Sequence, residues 1–157
     1  MTTGDLEALR RHFGDVVTAR IGTIRADGGP HVAARWFVWE EDGLWVATRV
    51  GDATWEHALR DPRVSIVIDR GRDWRELAGV RIEGVAELMP AEHPDMRRPM
   101  SAWHEKYRSM FSLDGFERFA RSVPALGFVH VVPARTEAWN HAADPPARGV
   151  AGSEGRS

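Results

Sequence analysis

The 157-residue chain contains no cysteine, so disulfides and thiolate metal sites are excluded, and a reducing cytoplasm is the expected compartment. Long apolar runs are also missing. No stretch approaches the roughly 20 residues of a membrane span. The N-terminal MTTGDLEALRRHFG is polar and amphipathic, without the apolar core of a signal peptide. A soluble cytoplasmic protein with no membrane partner is therefore expected. Charge of one sign is lacking too: 21 basic and 23 acidic side chains are interspersed for a net −2. Nucleic acid requires a concentrated basic surface, and none is written here. Lys106 is the only lysine, a bias that reads first as the mark of a GC-rich genome and only second as a preference for guanidinium.

The familiar catalytic patterns are absent as well. There is no G-x-S-x-G elbow, no Walker loop, and no G-x-G-x-x-G following a strand. Histidines stand at 12, 31, 57, 93, 104, 130 and 141, with no H-E-x-x-H or H-x-H spacing, so no metal site is expected. His130 lies within an apolar strand and reads as a core histidine. Glu40 and Glu41 fall in a turn and read as solvated. No catalytic residue is assigned.

What is present is a set of strands. Residues 16–25 (VVTARIGTIR), 31–39 (HVAARWFVW) and 44–48 (LWVAT) alternate with the turn clusters ADGGP and EEDG. Short turns make neighbouring strands antiparallel, which predicts a three-stranded meander. Residues 52–60 (DATWEHALR) predict a short helix capped by Asp52 and ended at Asp61-Pro62. Strands follow at 63–68 and 80–89, broken helical segments over 91–123, and a last strand at 126–132 that Arg135–Trp139 extends. Beyond His141 the Ala, Pro, Gly and Ser composition predicts a disordered tail, so the domain is drawn over 1–140 and the tail over 141–157. Five or six antiparallel strands with helical insertions predict a mainly β, α+β barrel, because closure removes exposed edges. A single domain suits this length, and it buries roughly 68–70% of its unfolded surface without staples. Seven tryptophans is a high count. Each either fills the barrel and a dimer seam or stacks on a ligand ring, and the first is the commoner role.

Three motifs occur in a telling order: Asp61-Pro62-Arg63-Val64 after the short helix, Val80-Arg81-Ile82-Glu83-Gly84 with Ala86-Glu87, and Pro133-Ala134-Arg135-Thr136-Glu137-Ala138-Trp139. Over roughly residues 6 to 140 the chain resembles the split barrels of the pyridoxamine 5′-phosphate oxidase type. The Trp36-Phe37 strand and the RDWRELAGV connector are more similar to the relatives that use the deazaflavin coenzyme F-420. The resemblance implies an antiparallel split β-barrel, a homodimer, and two cofactor sites at the subunit interface. It also implies that Arg35, Trp36, Phe37, Thr48, Arg49, Thr54, Trp55, Arg81 and Trp139 form the cofactor site. The cofactor the resemblance implies is FMN or coenzyme F-420, with F-420 favoured by the branch resemblance.

One segment departs from the family. Its phosphate-binding S-R-K falls on Asp52-Ala53-Thr54, which puts a carboxylate where a basic cluster is usual. Asp52 is read as a helix cap, and Arg35 and Arg49 are the arginines placed to supply the missing charge. The expectation is a flavin- or deazaflavin-dependent oxidoreductase moving a hydride to or from a small organic substrate. The alternative is a non-catalytic split barrel that binds haem or another tetrapyrrole, or that has lost its cofactor.

Overall fold

A computed structural model describes residues 3–112, 114–122 and 125–143. Helix α1 (Thr3–Phe13) turns Leu6, Leu9 and Phe13 toward the core, the 3–4 spacing of one helical face. Strand β1 (Ala19–Ile24) buries Ala19, Ile21 and Thr23 and leaves the residues between them outside. The chain reverses through Gly28, at φ 80°, into β2 (Pro30–Arg35). Asp27 fixes that turn by accepting the amide of Gly29 at 2.8 Å. Strands β3 (Phe37–Glu40) and β4 (Gly43–Arg49) follow, then helix α2 (Ala53–Arg60), β5 (Arg63–Arg70) and β6 (Ala78–Met89). Helices α3 (Arg97–Arg108) and α4 (Gly115–Ser122) precede the last strand, β7 (Leu126–Asn140).

All seven strands form one antiparallel sheet in the order β2-β1-β5-β6-β7-β4-β3. Its two edge strands, β2 and β3, are consecutive in sequence with only Trp36 between them. A flat sheet cannot have edges one residue apart, so this sheet curls until they meet. The amide of Ala47 in β4 donates to the carbonyl of Trp36 at 2.8 Å, which extends the β3–β4 ladder up to that joint. The result is the split barrel expected from the sequence.

The predicted strand over residues 31–39 is thus two strands. The break at Trp36 is what rolls the sheet, and a pattern of alternation carries no sign of it. The strand predicted at 126–132 and its extension are one continuous β7, which steps past a register shift at Glu83/Gly84.

Among the described residues, two apolar clusters form the core. Ile21, Phe37, Leu44, Val46, Ile66, Ile82 and Val131 meet inside the barrel. Val38, Trp45 and Phe128, on the outer face of the same strands, pack against Trp103, Tyr107 and Phe116 from α3 and α4. This double coverage explains why LWVAT is a continuous apolar run, since β4 is buried on both faces. Residues 141–143 form a 3-10 turn whose first amide donates to the carbonyl of Leu77 at 2.9 Å, and residues 144–157 of the predicted tail lie outside the described residues. Among the described residues, no helix is long and apolar enough to cross a membrane.

Candidate functional site

The C-terminal ends of β2 and β4 come together at the barrel joint, and the turn after β4 brings the start of α2 to the same point. Gly51, at φ 80°, supplies the left-handed backbone of that turn. Asp52 then caps the helix: its Oδ1 accepts the amide of Trp55 at 3.0 Å and the hydroxyl of Thr48 at 2.9 Å. Its Oδ2 accepts from Nη2 of Arg35 at 2.7 Å, and that same nitrogen reaches Oγ1 of Thr54 at 3.1 Å. Thr48 and Thr54 are buried, whereas the side chains of Arg35 and Asp52 are 29% and 22% exposed. The Arg35 Nε atom is buried without a hydrogen-bond partner.

This network forms one wall of an open cleft of about 340 Å³, lined by Arg35, Trp36, Thr48, Arg49, Phe119 and Leu126 among others. Most of the lining is apolar or aromatic. Trp36 forms its aromatic floor, stacked on Tyr107 with ring centres 4.4 Å apart and planes 7° apart, and 5.3 Å from Phe119. Arg49 is exposed at the rim, and among the described residues its side chain has no hydrogen bond or ion pair. The cleft therefore presents aromatic side chains (Trp36, Trp103 and Phe119), one neutralised arginine and one free arginine.

Arg35, Trp36, Thr48, Arg49, Thr54 and Trp55 are thus brought together, with the Trp55 indole packed against Gly127. Phe37 is not at the cleft. It points into the barrel, fully buried, with the Lys106 ammonium 3.6 Å above its ring. Arg81 lies on β6 in ion pairs with Glu137 and Glu83. Trp139 packs over Gly79 near the far end of β7. Gly127 pairs with Thr48 beside the cleft, so Trp139 is about 40 Å of strand away from it within one chain.

Two participants were not singled out in the sequence. Tyr107, the only tyrosine, supports Trp36 from below, and Phe119 closes the aromatic wall. Trp103 and Tyr107 stand four residues apart on α3, the spacing of one helical face, which is the one sequence signal that pointed inward. Burial raises the Tyr107 phenol above the ordinary tyrosine range, and burial lowers the neighbouring Lys106 to about 8.

A second polar cluster lies toward the other end of α2. There the buried hydroxyl of Thr23 is shared by Nδ1 of His31 at 3.3 Å and Nδ1 of His57 at 3.1 Å. Desolvation, and then the neighbouring His31, lower His57 from its ordinary range. Among the described residues no group of three or more potential ligands could hold a metal ion.

The sequence profile of the pyridoxamine 5′-phosphate oxidase family matches residues 6–140. No curated protein matches the chain by sequence. Among solved structures, the conserved hypothetical protein Rv2991 from Mycobacterium tuberculosis is 29% identical, with a TM-score of 0.72 over 94% of this chain and 92% of that one. An F-420 reductase is similar at 15% identity and a TM-score of 0.61, over 82% of this chain and 94% of its own. HutZ, the haem storage protein from Vibrio cholerae, is similar at 13% identity and a TM-score of 0.65, over 87% and 92%.

Proposed function

Since the chain belongs to the pyridoxamine 5′-phosphate oxidase family, we propose that it is an oxidoreductase that holds a flavin-type ring in the Trp36 cleft and acts on a small organic substrate. The observation that carries this is the open, largely apolar and aromatic cleft between Trp36, Leu126 and the Arg35–Asp52 wall, at the joint of a barrel with a flavin-family sequence. Coenzyme F-420 is favoured over FMN, in line with the branch resemblance and with an F-420 reductase among the similar folds. Such a cofactor supplies the hydride chemistry once bound, while the protein supplies placement and electrostatics. This accounts for a site without an acid–base pair of its own.

The residues fit the two ends of such a cofactor unequally. The ring end meets aromatic and aliphatic side chains. The phosphate end does not fit: the donors at the start of α2 already hold Asp52.

A homodimer belongs to this proposal. Val32, Val85 and Val132 are 65%, 61% and 58% exposed on the outside of the sheet. Val85 and Val132 are directly paired, while Val32 and Val85 border an apolar hollow of about 570 Å³ with Pro30 and Ala134. Apolar surface of this kind is covered in a stable assembly.

The test is to purify the protein, record its visible spectrum, and titrate FMN and F-420 separately. Binding of either below about millimolar supports the proposal; failure of both overturns it. Arg35→Ala and Arg49→Ala report whether these arginines assist, since unchanged affinity in both would remove them from the site.

A haem storage protein of similar fold supports one second reading, a non-catalytic haem or tetrapyrrole carrier. Haemin titration decides it, because a carrier gives a saturable Soret shift and a flavin enzyme gives none.

A further inference from the structure

We propose that Asp52 is a built-in counter-anion that closes the start of α2 to phosphate, so that the cleft selects its ligand by the ring and not by a phosphate tail. This rests on the flavin-type reading above for the ring, but the closure to phosphate is a property of the chain itself.

A hydroxyl, a backbone N–H at a helix start and a guanidinium, all converging on one point, form a donor set for an oxyanion. Here the oxyanion is already present. Thr48 and Trp55 serve Oδ1 of Asp52, and Arg35 serves Oδ2, at 2.7 to 3.0 Å. Both carboxylate oxygens are used, and the charge of Arg35 is cancelled within the protein. A phosphate entering would have to displace Asp52 from its donors or bind beside it. Displacement breaks a helix cap and an ion pair. Binding beside it sets a second anion against the Asp52 carboxylate, at a point where the charge of Arg35 is already balanced and only the rim arginine, Arg49, is free.

Why the capping residue is aspartate follows from this arrangement. Serine or asparagine caps a helix as well, but neither carries the charge that neutralises Arg35. The half-buried guanidinium requires a partner, and in this chain the partner is internal.

The test uses the full-length chain, as wild type, Asp52→Asn and Asp52→Ser, both of which keep a capping oxygen. FMN and riboflavin, which share a ring and differ by the phosphate, are titrated by fluorescence. The wild type is expected to bind the two with similar affinity. The variants are expected to gain about tenfold for FMN while riboflavin is unchanged, a difference of one decade in Kd. A strong wild-type preference for FMN, or variants that leave the FMN-to-riboflavin ratio unmoved, overturns the proposal. A second probe needs no ring. Inorganic phosphate is titrated while the backbone amide resonance of Trp55 is followed by NMR. A saturable shift in Asp52→Ser and none in the wild type supports the closure. A shift in the wild type, or none in the variant, overturns it. If no ring compound binds any form, the functional proposal fails, and the phosphate result still decides the role of Asp52.

Discussion

The phenol oxygen of Tyr107 lies 2.8 Å from the amide nitrogen of Phe37 and 2.9 Å from its carbonyl oxygen. Phe37 opens an edge strand, where backbone groups have no neighbouring strand to pair with. One hydroxyl from α3 serves both of them. It accepts from the N–H and donates its single proton to this carbonyl or to that of Val17, 2.8 Å away. Lys106 donates to the same Phe37 carbonyl at 2.9 Å. Helix α3 thus covers the open edge with side chains.

Tyr107→Phe removes that hydroxyl and leaves the buried Phe37 N–H unpaired. A loss of about 1–3 kcal/mol is expected, the cost of stranding a buried polar group. Urea denaturation should show a lower midpoint at an unchanged slope. An unmoved midpoint would mean that water replaces the phenol.

Lys106 makes stability depend on pH in the alkaline range. Its folded value of about 8 is below the ordinary 10.5, so between these values the unfolded chain binds the extra proton. Stability should therefore rise as pH increases from about 8 toward 10, relative to Lys106→Met. Above pH 10 the raised Tyr107 acts in the opposite sense, because the unfolded chain then loses the phenol proton first. Because Tyr107 is common to both proteins, the difference between their thermal melts across this range isolates Lys106, and parallel curves would contradict its role.

Gly79 and Trp139 are paired across β6 and β7, with no room between them. A Cβ at position 79 would stand 2.1 Å from Cζ2 of the indole. Gly79→Ala should cost about 1–3 kcal/mol and shift the tryptophan emission as the ring is pushed off. In a Trp139→Ala background the same change should cost much less, and simple additivity would show that the ring does not lie there.

The proposed dimer gives a mass prediction. Light scattering should report twice the 17.6 kDa chain for the wild type and about one chain for Val85→Glu, which places a charge in the apolar face. A monomeric wild type would remove the dimer from the proposal.

Much of the barrel was legible in the residues because each strand advertises itself locally. Ala19, Ile21 and Thr23 alternate inward, ADGGP can only turn, and Asp61-Pro62 stops a helix. The joint at Trp36 was not legible. Strand order is set by contacts between residues far apart in sequence, and nothing in HVAARWFVW says that its halves belong to opposite edges of the sheet. The site was half legible for the same reason. Asp52 was readable as a cap, since capping is local, but its pairing with Arg35 spans 17 residues and exists only once β2 and β4 meet. Phe37 shows the converse: Arg35 and Trp36 just before it line the cleft, but strand alternation turns it inward.

The single-residue joint also fixes the circumference of the barrel. With only Trp36 linking β2 to β3, one inserted residue there would offset the pairing of Phe37 with Val46 and turn the inward side chains of β3 outward. The cleft lies on this seam, so an occupant bound to both sides of it acts as a stitch. Opening the seam would require losing the ligand first. By mass action, bound ligand should slow amide exchange at the β2 and β3 edges, whose local opening it blocks, whereas the core amides of β5 and β6 slow only as far as they exchange through global unfolding.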